Sequence, residues 1–201
     1  MDSLFPIPDQ FELLPFDGST TYSTAFCPAA LADELFRRLL QDAAWQNDVV
    51  KIYGKTYVTK RKVAWYGDEG FSYKYSGVAK TALPWTETLL RIKRDTELAC
   101  EEQFNSCLLN LYHDGSEGMS WHSDDEDTLD ALAPIASVSL GAARRFSLRH
   151  RKTRETVNIL LEHGSLLVMD GMSQRHWQHA LPKTTKVNAP RINLTFRRMK
   201  G

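Results

Sequence analysis

Five residues of this 201-residue chain have types and an order suited to redox chemistry. His122-Ser123-Asp124 sets an imidazole and a carboxylate two positions apart, and His179 adds a second imidazole. Arg191 and Arg197 follow within the run Arg191-Ile192-Asn193-Leu194-Thr195-Phe196-Arg197. Two imidazoles and one carboxylate are the ligand set of a facial non-haem Fe(II) site. A guanidinium matches a carboxylate bidentately, so an Arg shortly after the last His can hold an organic acid. The combination implies an oxygenase that uses iron and a small keto-diacid. A bare His-x-Asp triplet is more often a surface turn, and a lone strand Arg more often faces solvent. The order and surroundings of these residues carry the weight.

Residues so far apart must be brought together by a fold. Residues 1–26 read as an irregular, Pro-containing lead. Residues 28–45 read as a helix: Pro28 suits a first turn, and Leu31, Leu35, Leu39 and Ala43 repeat every four positions. Residues 49–64, rich in Val, Ile, Tyr and Thr around Gly54, predict a β-hairpin, and Phe71–Tyr75 a further short strand. A second helix is expected from Pro84, with Trp85, Leu89, Ile92 and Ala99 on one face. Beyond Phe104, short apolar strands recur at 106–112, 134–140, 145–149, 156–161, 165–169, 175–181 and 191–198. That rhythm indicates a sandwich or a closed β-roll. The expected fold class is α+β, mainly β: a jelly roll buttressed by two helices, whose mouth gathers the five residues.

Bulk properties narrow the setting. No apolar run approaches the length of a membrane span, and the N-terminus lacks a basic segment and an apolar core, so a cytoplasmic protein is expected. Cys27, Cys100 and Cys107 are few, odd in number and not spaced as a zinc cluster, so buried thiols in a reducing compartment are expected. The 25 Lys and Arg balance 25 Asp and Glu, which argues mildly against a nucleic-acid binder. The balance hides segregation. Residues 51–62 carry Lys51, Lys55, Lys60, Arg61 and Lys62, and 144–154 carry Arg144, Arg145, Arg149, Arg151, Lys152 and Arg154, in both cases without an acid. Acids concentrate at 114–130, around His122 and Asp124.

The wider pattern resembles the AlkB family of Fe(II)/2-oxoglutarate dioxygenases. The pieces are Asn110-Leu111-Tyr112, His122-Ser123-Asp124-Asp125-Glu126, Pro134 to Gly141, His163-Gly164-Ser165-Leu166-Leu167, His176 to Pro182 and Pro190 to Arg197. Upstream, Tyr66-Gly67-Asp68 and Tyr73-Lys74-Tyr75-Ser76-Gly77 also match, so the likeness spans roughly residues 49–198. The nearest branch is the one suited to duplex DNA. The resemblance implies a double-stranded β-helix as one domain over 1–201. Its parts are a lead and helix (1–48), a hairpin and nucleotide-recognition lid (49–80) and a helix plus catalytic core (84–201). It implies Fe(II) on His122, Asp124 and His179, with O2 at the remaining position. It implies 2-oxoglutarate held at its distal carboxylate by Arg191 with Tyr112, Asn193 and Thr195, and at its chelating end by Arg197 and Asn110.

The implied reaction is oxidative demethylation of N-alkylated bases such as 1-methyladenine and 3-methylcytosine in DNA. 2-Oxoglutarate goes to succinate and CO2, and formaldehyde is released. A base inside a duplex must be flipped out and held by stacking and edge contacts. Tyr73, Tyr75 and Ser76 fall where the family has its lid, with Tyr75 expected to stack on the base opposite the His122 ring. Asp125, ahead of Glu126, is expected to act beside the iron and meet the cationic base. Ile52-Tyr53-Gly54 sits where the duplex-acting branch carries a hydrophobic finger, so Tyr53 is expected to enter the stack. Lys51, Lys55 and Arg61 are expected on phosphates. One departure is the stretch Lys183-Thr184-Thr185-Lys186, where two threonines thin the basic run expected to clamp the second strand. The Arg144–Arg154 segment is expected to compensate. The alternatives are the same chemistry on RNA or another substrate, and a non-catalytic nucleic-acid-binding module. A monomer with no obligate protein partner is expected.

Overall fold

A computed structural model describes residues 10–52, 55–69, 71–75 and 78–200, with the side chains of 50–52, 55, 72–75 and 78–80 outside the description. Tyr53, Gly54 and Ser76 therefore lie outside the described residues, as do the side chains of Ile52, Tyr73 and Tyr75. Strands β1 (Phe11–Glu12) and β2 (Thr20–Ser23) precede helix α1 (Ala29–Asp42), which leads to β3 (Gln46–Ile52) and β4 (Lys55–Gly67). Next come β5 (Ser72–Tyr75), β6 (Val78–Thr81) and helix α2 (Glu87–Cys100). The remainder comprises β7 (Ser106–Tyr112), β8 (Met119–His122), β9 (Ile135–Gly141), β10 (Arg144–His150), β11 (Thr156–Leu161), β12 (Ser165–Met169), helix α3 (Gly171–His176), β13 (Trp177–Leu181) and β14 (Arg191–Arg197).

The strands form a jelly roll. A major sheet runs β1-β2-β12-β9-β14-β7-β4-β3, a minor sheet runs β11-β10-β13-β8, and β5 pairs with β6 alone. Both large sheets are antiparallel throughout. Two apolar layers hold it. Outside the major sheet, Ile192, Leu194 and Phe196 of β14 meet Ala32, Leu35 and Leu39 of α1 and Leu89 and Ile92 of α2. Between the sheets, Phe146, Leu148, Leu167 and Trp177 pack around Tyr112. The helices thus buttress one face of the major sheet and leave its other face for the site.

Local chemistry explains the element ends. Thr86 caps α2 by accepting from the Leu89 N–H, and Glu101 closes it in a left-handed conformation at φ 52°. The helix therefore starts three residues later than the expected Pro84. Gly141 ends β9 at φ +91°, where a Cβ would stand 2.5 Å from the Pro190 carbonyl oxygen. Three further differences have physical causes. Thr20-Thr21-Tyr22-Ser23, within the lead expected to be irregular, is a strand because β12 pairs with it. Met119–His122 is a strand because β13 supplies its partner. The start of the expected strand 175–181 belongs instead to α3, capped by Asp170 accepting from the Ser173 N–H.

Candidate active site

Antiparallel register builds the site. His122 of β8 is paired with His179 of β13, and the loop after β8 turns Asp124 back between them. His122 Nε2 lies 3.6 Å from Asp124 Oδ1, and His179 Nε2 lies 3.9 Å from the same oxygen. The two rings meet edge to face at 4.2 Å. These are separations of groups that share one ion, not of a hydrogen-bonded pair. His122 Nδ1 faces the Ser120 carbonyl oxygen at 2.8 Å. A carbonyl only accepts, so Nδ1 carries the hydrogen and Nε2 is left with its lone pair toward the metal position. Phe146 stacks on His179 at 5.4 Å.

The electrostatics keep the ligands in metal-binding form. Burial would raise the Asp124 pKa, but Arg197, His179 and His122 outweigh it and hold the carboxyl down at about 2. Burial pushes His179 down to about 3 against the opposing pull of Asp124, so the ring is neutral near pH 7. Arg197 donates from Nε (3.1 Å) and Nη2 (2.5 Å) to Asp124 Oδ2, leaving Oδ1 facing the two imidazoles. The structure thus gives Arg197 a task beyond the expected hold on the co-substrate: it fixes the ligand carboxylate. The Asp124 backbone N–H donates to Gln174 Oε1 at 3.0 Å, a contact made by α3 that sequence reasoning did not foresee.

A second polar group lies deeper on the same sheet. Across β7, β14 and β9, Tyr112 is opposite Arg191, Asn110 opposite Asn193, and Asn193 in turn opposite Ser139. Arg191 is 2% exposed and donates from Nη2 to Ser139 Oγ (2.9 Å) and Asn193 Oδ1 (2.7 Å). Its guanidinium stands 5.6 Å from the Tyr112 ring centre, and its Nε has no hydrogen-bond partner. Among the described residues no carboxylate pairs with it. Asn193 Nδ2 donates to Thr195 Oγ1 at 2.8 Å, and the buried Asn110 Oδ1 has no partner. A buried cation with a free donor, on the same sheet face as the metal position, fits a dicarboxylate that also binds the metal. Ser139 was absent from the expected set, although the alternation Ala136-Ser137-Val138-Ser139-Leu140 signals a polar face opposite that of β14.

A cavity of about 500 Å³ opens over the metal position, lined among others by Asp48, Arg61, Asn110, His122, Asp124 and Glu126. Two expectations are corrected here. Asp125 is exposed, lies outside this cavity and bonds to Arg151 Nη2 at 3.0 Å, whereas Glu126 lines the cavity. Arg61 is 7% exposed and bonded to buried Asp48, with Met119 Sδ at 3.3 Å and the Tyr112 ring nearby, so it is a wall of the cavity and not a surface phosphate contact. The basic segment 144–154 also divides. Arg144 is buried and donates to the carbonyls of Asp114, Glu117 and Pro182. Arg149 lies 4.0 Å over the Trp121 ring, while Arg145, Lys152 and Arg154 are exposed. Cys27 and Cys107 are buried and all three cysteines are unbridged. Among the described residues no helix is long and apolar enough to cross a membrane.

Comparison with known proteins agrees with this geometry. Residues 19–197 match the sequence profile of the 2OG-Fe(II) oxygenase superfamily. A mouse protein named DNA oxidative demethylase ALKBH2 is 40% identical over 96% of this chain and 84% of its own length. Its bovine counterpart is 40% identical over 85% of this chain, which spans only 65% of that protein. A bovine alpha-ketoglutarate-dependent dioxygenase alkB homolog 3 is 39% identical over 83% of this chain and 61% of its own. Among solved structures, that of OsALKBH1 superposes with a TM-score of 0.65 at 17% identity, covering 92% of this chain and 99% of that one, a likeness of fold.

Proposed function

Because this chain belongs to the 2OG-Fe(II) oxygenase superfamily, and within it to the AlkB family, we propose that it removes N-methyl groups from alkylated DNA bases by oxidation. The observation that carries the reading is the pairing of two sites on one sheet: three ligand atoms around a single position, and a buried Arg191 that lacks a carboxylate. The DNA substrate rests on the relatives named DNA oxidative demethylase ALKBH2. Bound Fe(II), with 2-oxoglutarate and O2, supplies the oxidation that turns an N-methyl group into a hydroxymethyl group, lost as formaldehyde.

The chain's own residues do the rest. Arg191 takes the distal carboxylate of 2-oxoglutarate, and Ser139 and Asn193 fix the plane of its guanidinium. Asn110 turns its side-chain amide N–H to the chelating end. Arg197 keeps Asp124 ionised and aimed. Glu126 on the cavity wall offers a carboxylate to a cationic methylated base, in place of the expected Asp125. The family resemblance assigns Tyr73, Tyr75 and Ser76 to the flipped base and Tyr53 to the gap it leaves in a duplex.

The test is formaldehyde release from a 1-methyladenine oligonucleotide, single-stranded and duplex, with Fe(II), 2-oxoglutarate and O2. Release that His122→Ala abolishes is expected. Tyr53→Ala should lower duplex turnover several-fold and leave single-strand turnover within two-fold. No release from either form, with metal and 2-oxoglutarate still bound, would remove methylated DNA as the substrate.

A further inference from the structure

A second cluster of ligand-type side chains lies apart from the iron triad. Asp17, His150 and His176 each present a ligand atom, and these atoms lie within 4.8 Å of one another, as do those of His122, Asp124 and His179. His150 Nε2 stands 3.2 Å from Asp17 Oδ2, comparable with the 3.6 Å between His122 Nε2 and Asp124 Oδ1. His150 is 3% exposed, yet its Nε2 makes no hydrogen bond. The Asp17 carboxylate is thus beside this nitrogen, within ion-pair distance but off its hydrogen-bond axis. The His150 and His176 rings lie nearly parallel, 17° apart, with centres 6.3 Å apart.

The backbone holds Asp17 in place. It adopts φ 53°, unusual for a residue with a side chain. The following Gly18 is pressed against α3, where a Cβ would meet the Ser173 backbone at 2.7 Å. Trp177 Nε1 donates to the Phe16 carbonyl at 3.1 Å, pinning the same loop to β13.

We propose that Asp17, His150 and His176 bind a second divalent transition-metal ion of the zinc class, separate from the iron, fastening the N-terminal loop to the ends of β10 and α3. Imidazole and carboxylate at about 2.0–2.2 Å suit Zn²⁺, with the fourth position left to water. In the metal-free protein the Thr153 N–H donates to His150 Nδ1 at 3.1 Å, which puts the ring proton on Nε2. On loading, that proton moves to Nδ1, which then donates to Thr153 Oγ1, already 3.0 Å away, and the turn at Thr153 releases its backbone N–H from the ring. The site sits close to the iron ligands in register: β10 and β13 pair His150 with Trp177 and Leu148 with His179.

The test titrates the metal-stripped full chain with Zn²⁺ alone and counts bound ions by native mass spectrometry. Wild type should bind two. Asp17→Asn with His176→Gln should bind one, keep the unloaded melting temperature of wild type, and lose the rise in melting temperature that accompanies the second ion. His122→Ala with Asp124→Ala should also retain one. A single ion in wild type, or a second ion that survives Asp17→Asn with His176→Gln, would overturn the site. The count is read without turnover, so it stands whether or not methylated DNA proves to be the substrate.

Discussion

Arg191 is the residue on which the co-substrate reading can be tested most directly. Its hydrogen-bond partners, Ser139 and Asn193, are neutral, and burial draws its pKa down from the ordinary guanidinium value to about 10. The sign follows from linkage. Below pH 10 the cation is present in both folded and unfolded chains, so its burial penalty of about 3 kcal/mol acts in full at neutral pH. Above pH 10 the unfolded chain holds more protons, and the penalty fades as pH rises toward the ordinary guanidinium pKa. A bound carboxylate offsets that penalty, so 2-oxoglutarate should raise the melting temperature at pH 7. Arg191→Gln should remove most of that rise and increase the KM for 2-oxoglutarate on the order of 100-fold, consistent with losing one partner of a buried charge pair. In wild type the KM should stay flat from pH 7 to 9, as read by succinate formation. A KM unchanged in Arg191→Gln would place the distal carboxylate elsewhere.

At the scale of elements, strand β14 shows why part of the site was legible. Arg191, Asn193, Thr195 and Arg197 alternate with Ile192, Leu194 and Phe196, and period two puts the first set on the site face and the second on the helices. That logic gave both arginines and the buttressing helices. It fails where a side chain leaves a loop, because alternation says nothing about direction there: Asp125 and Glu126 are neighbours, and only the fold separates the one on Arg151 from the one on the cavity. It fails also for pairs distant in sequence. Arg61 read as a surface cation because its partner Asp48 is 13 residues away, across β3 and β4. Asp48→Ala leaves Arg61 buried without a counter-charge and should destabilise the fold by about 3–5 kcal/mol in urea unfolding. Gly141→Ala should cost about 1–3 kcal/mol, from its φ and from the close Pro190 carbonyl, and should weaken 2-oxoglutarate binding because Gly141 lies opposite Arg191. Equal stability in Gly141→Ala would mean that the β9 end can shift without disturbing β14.

For the molecule as a whole, a net charge of zero limits how DNA can be held. Affinity for duplex DNA rises with the number of phosphates neutralised, and each contributes about 0.9 to the slope of log affinity against log salt. The acid-free segment 144–154 looked in sequence like six such contacts. The fold commits Arg144 to backbone carbonyls and Arg151 to Asp125, and rests Arg149 on Trp121. Arg145 on β10 and Lys152 and Arg154 beyond it remain exposed. A shallow salt dependence is therefore expected, with Lys152 and Arg154 a sizeable share of it. Lys152→Ser with Arg154→Asn suits the test, since Asn tolerates the φ of 67° at position 154. By fluorescence anisotropy across a salt series, this variant should lose about 1.8 from the duplex slope and bind more weakly at low salt. Formaldehyde release at saturating DNA should stay unchanged, because neither side chain lines the cavity. An unaltered slope would move the phosphate contacts to the β3–β4 hairpin and to Lys183 and Lys186, and would mean that the thinned run between them suffices to hold the second strand.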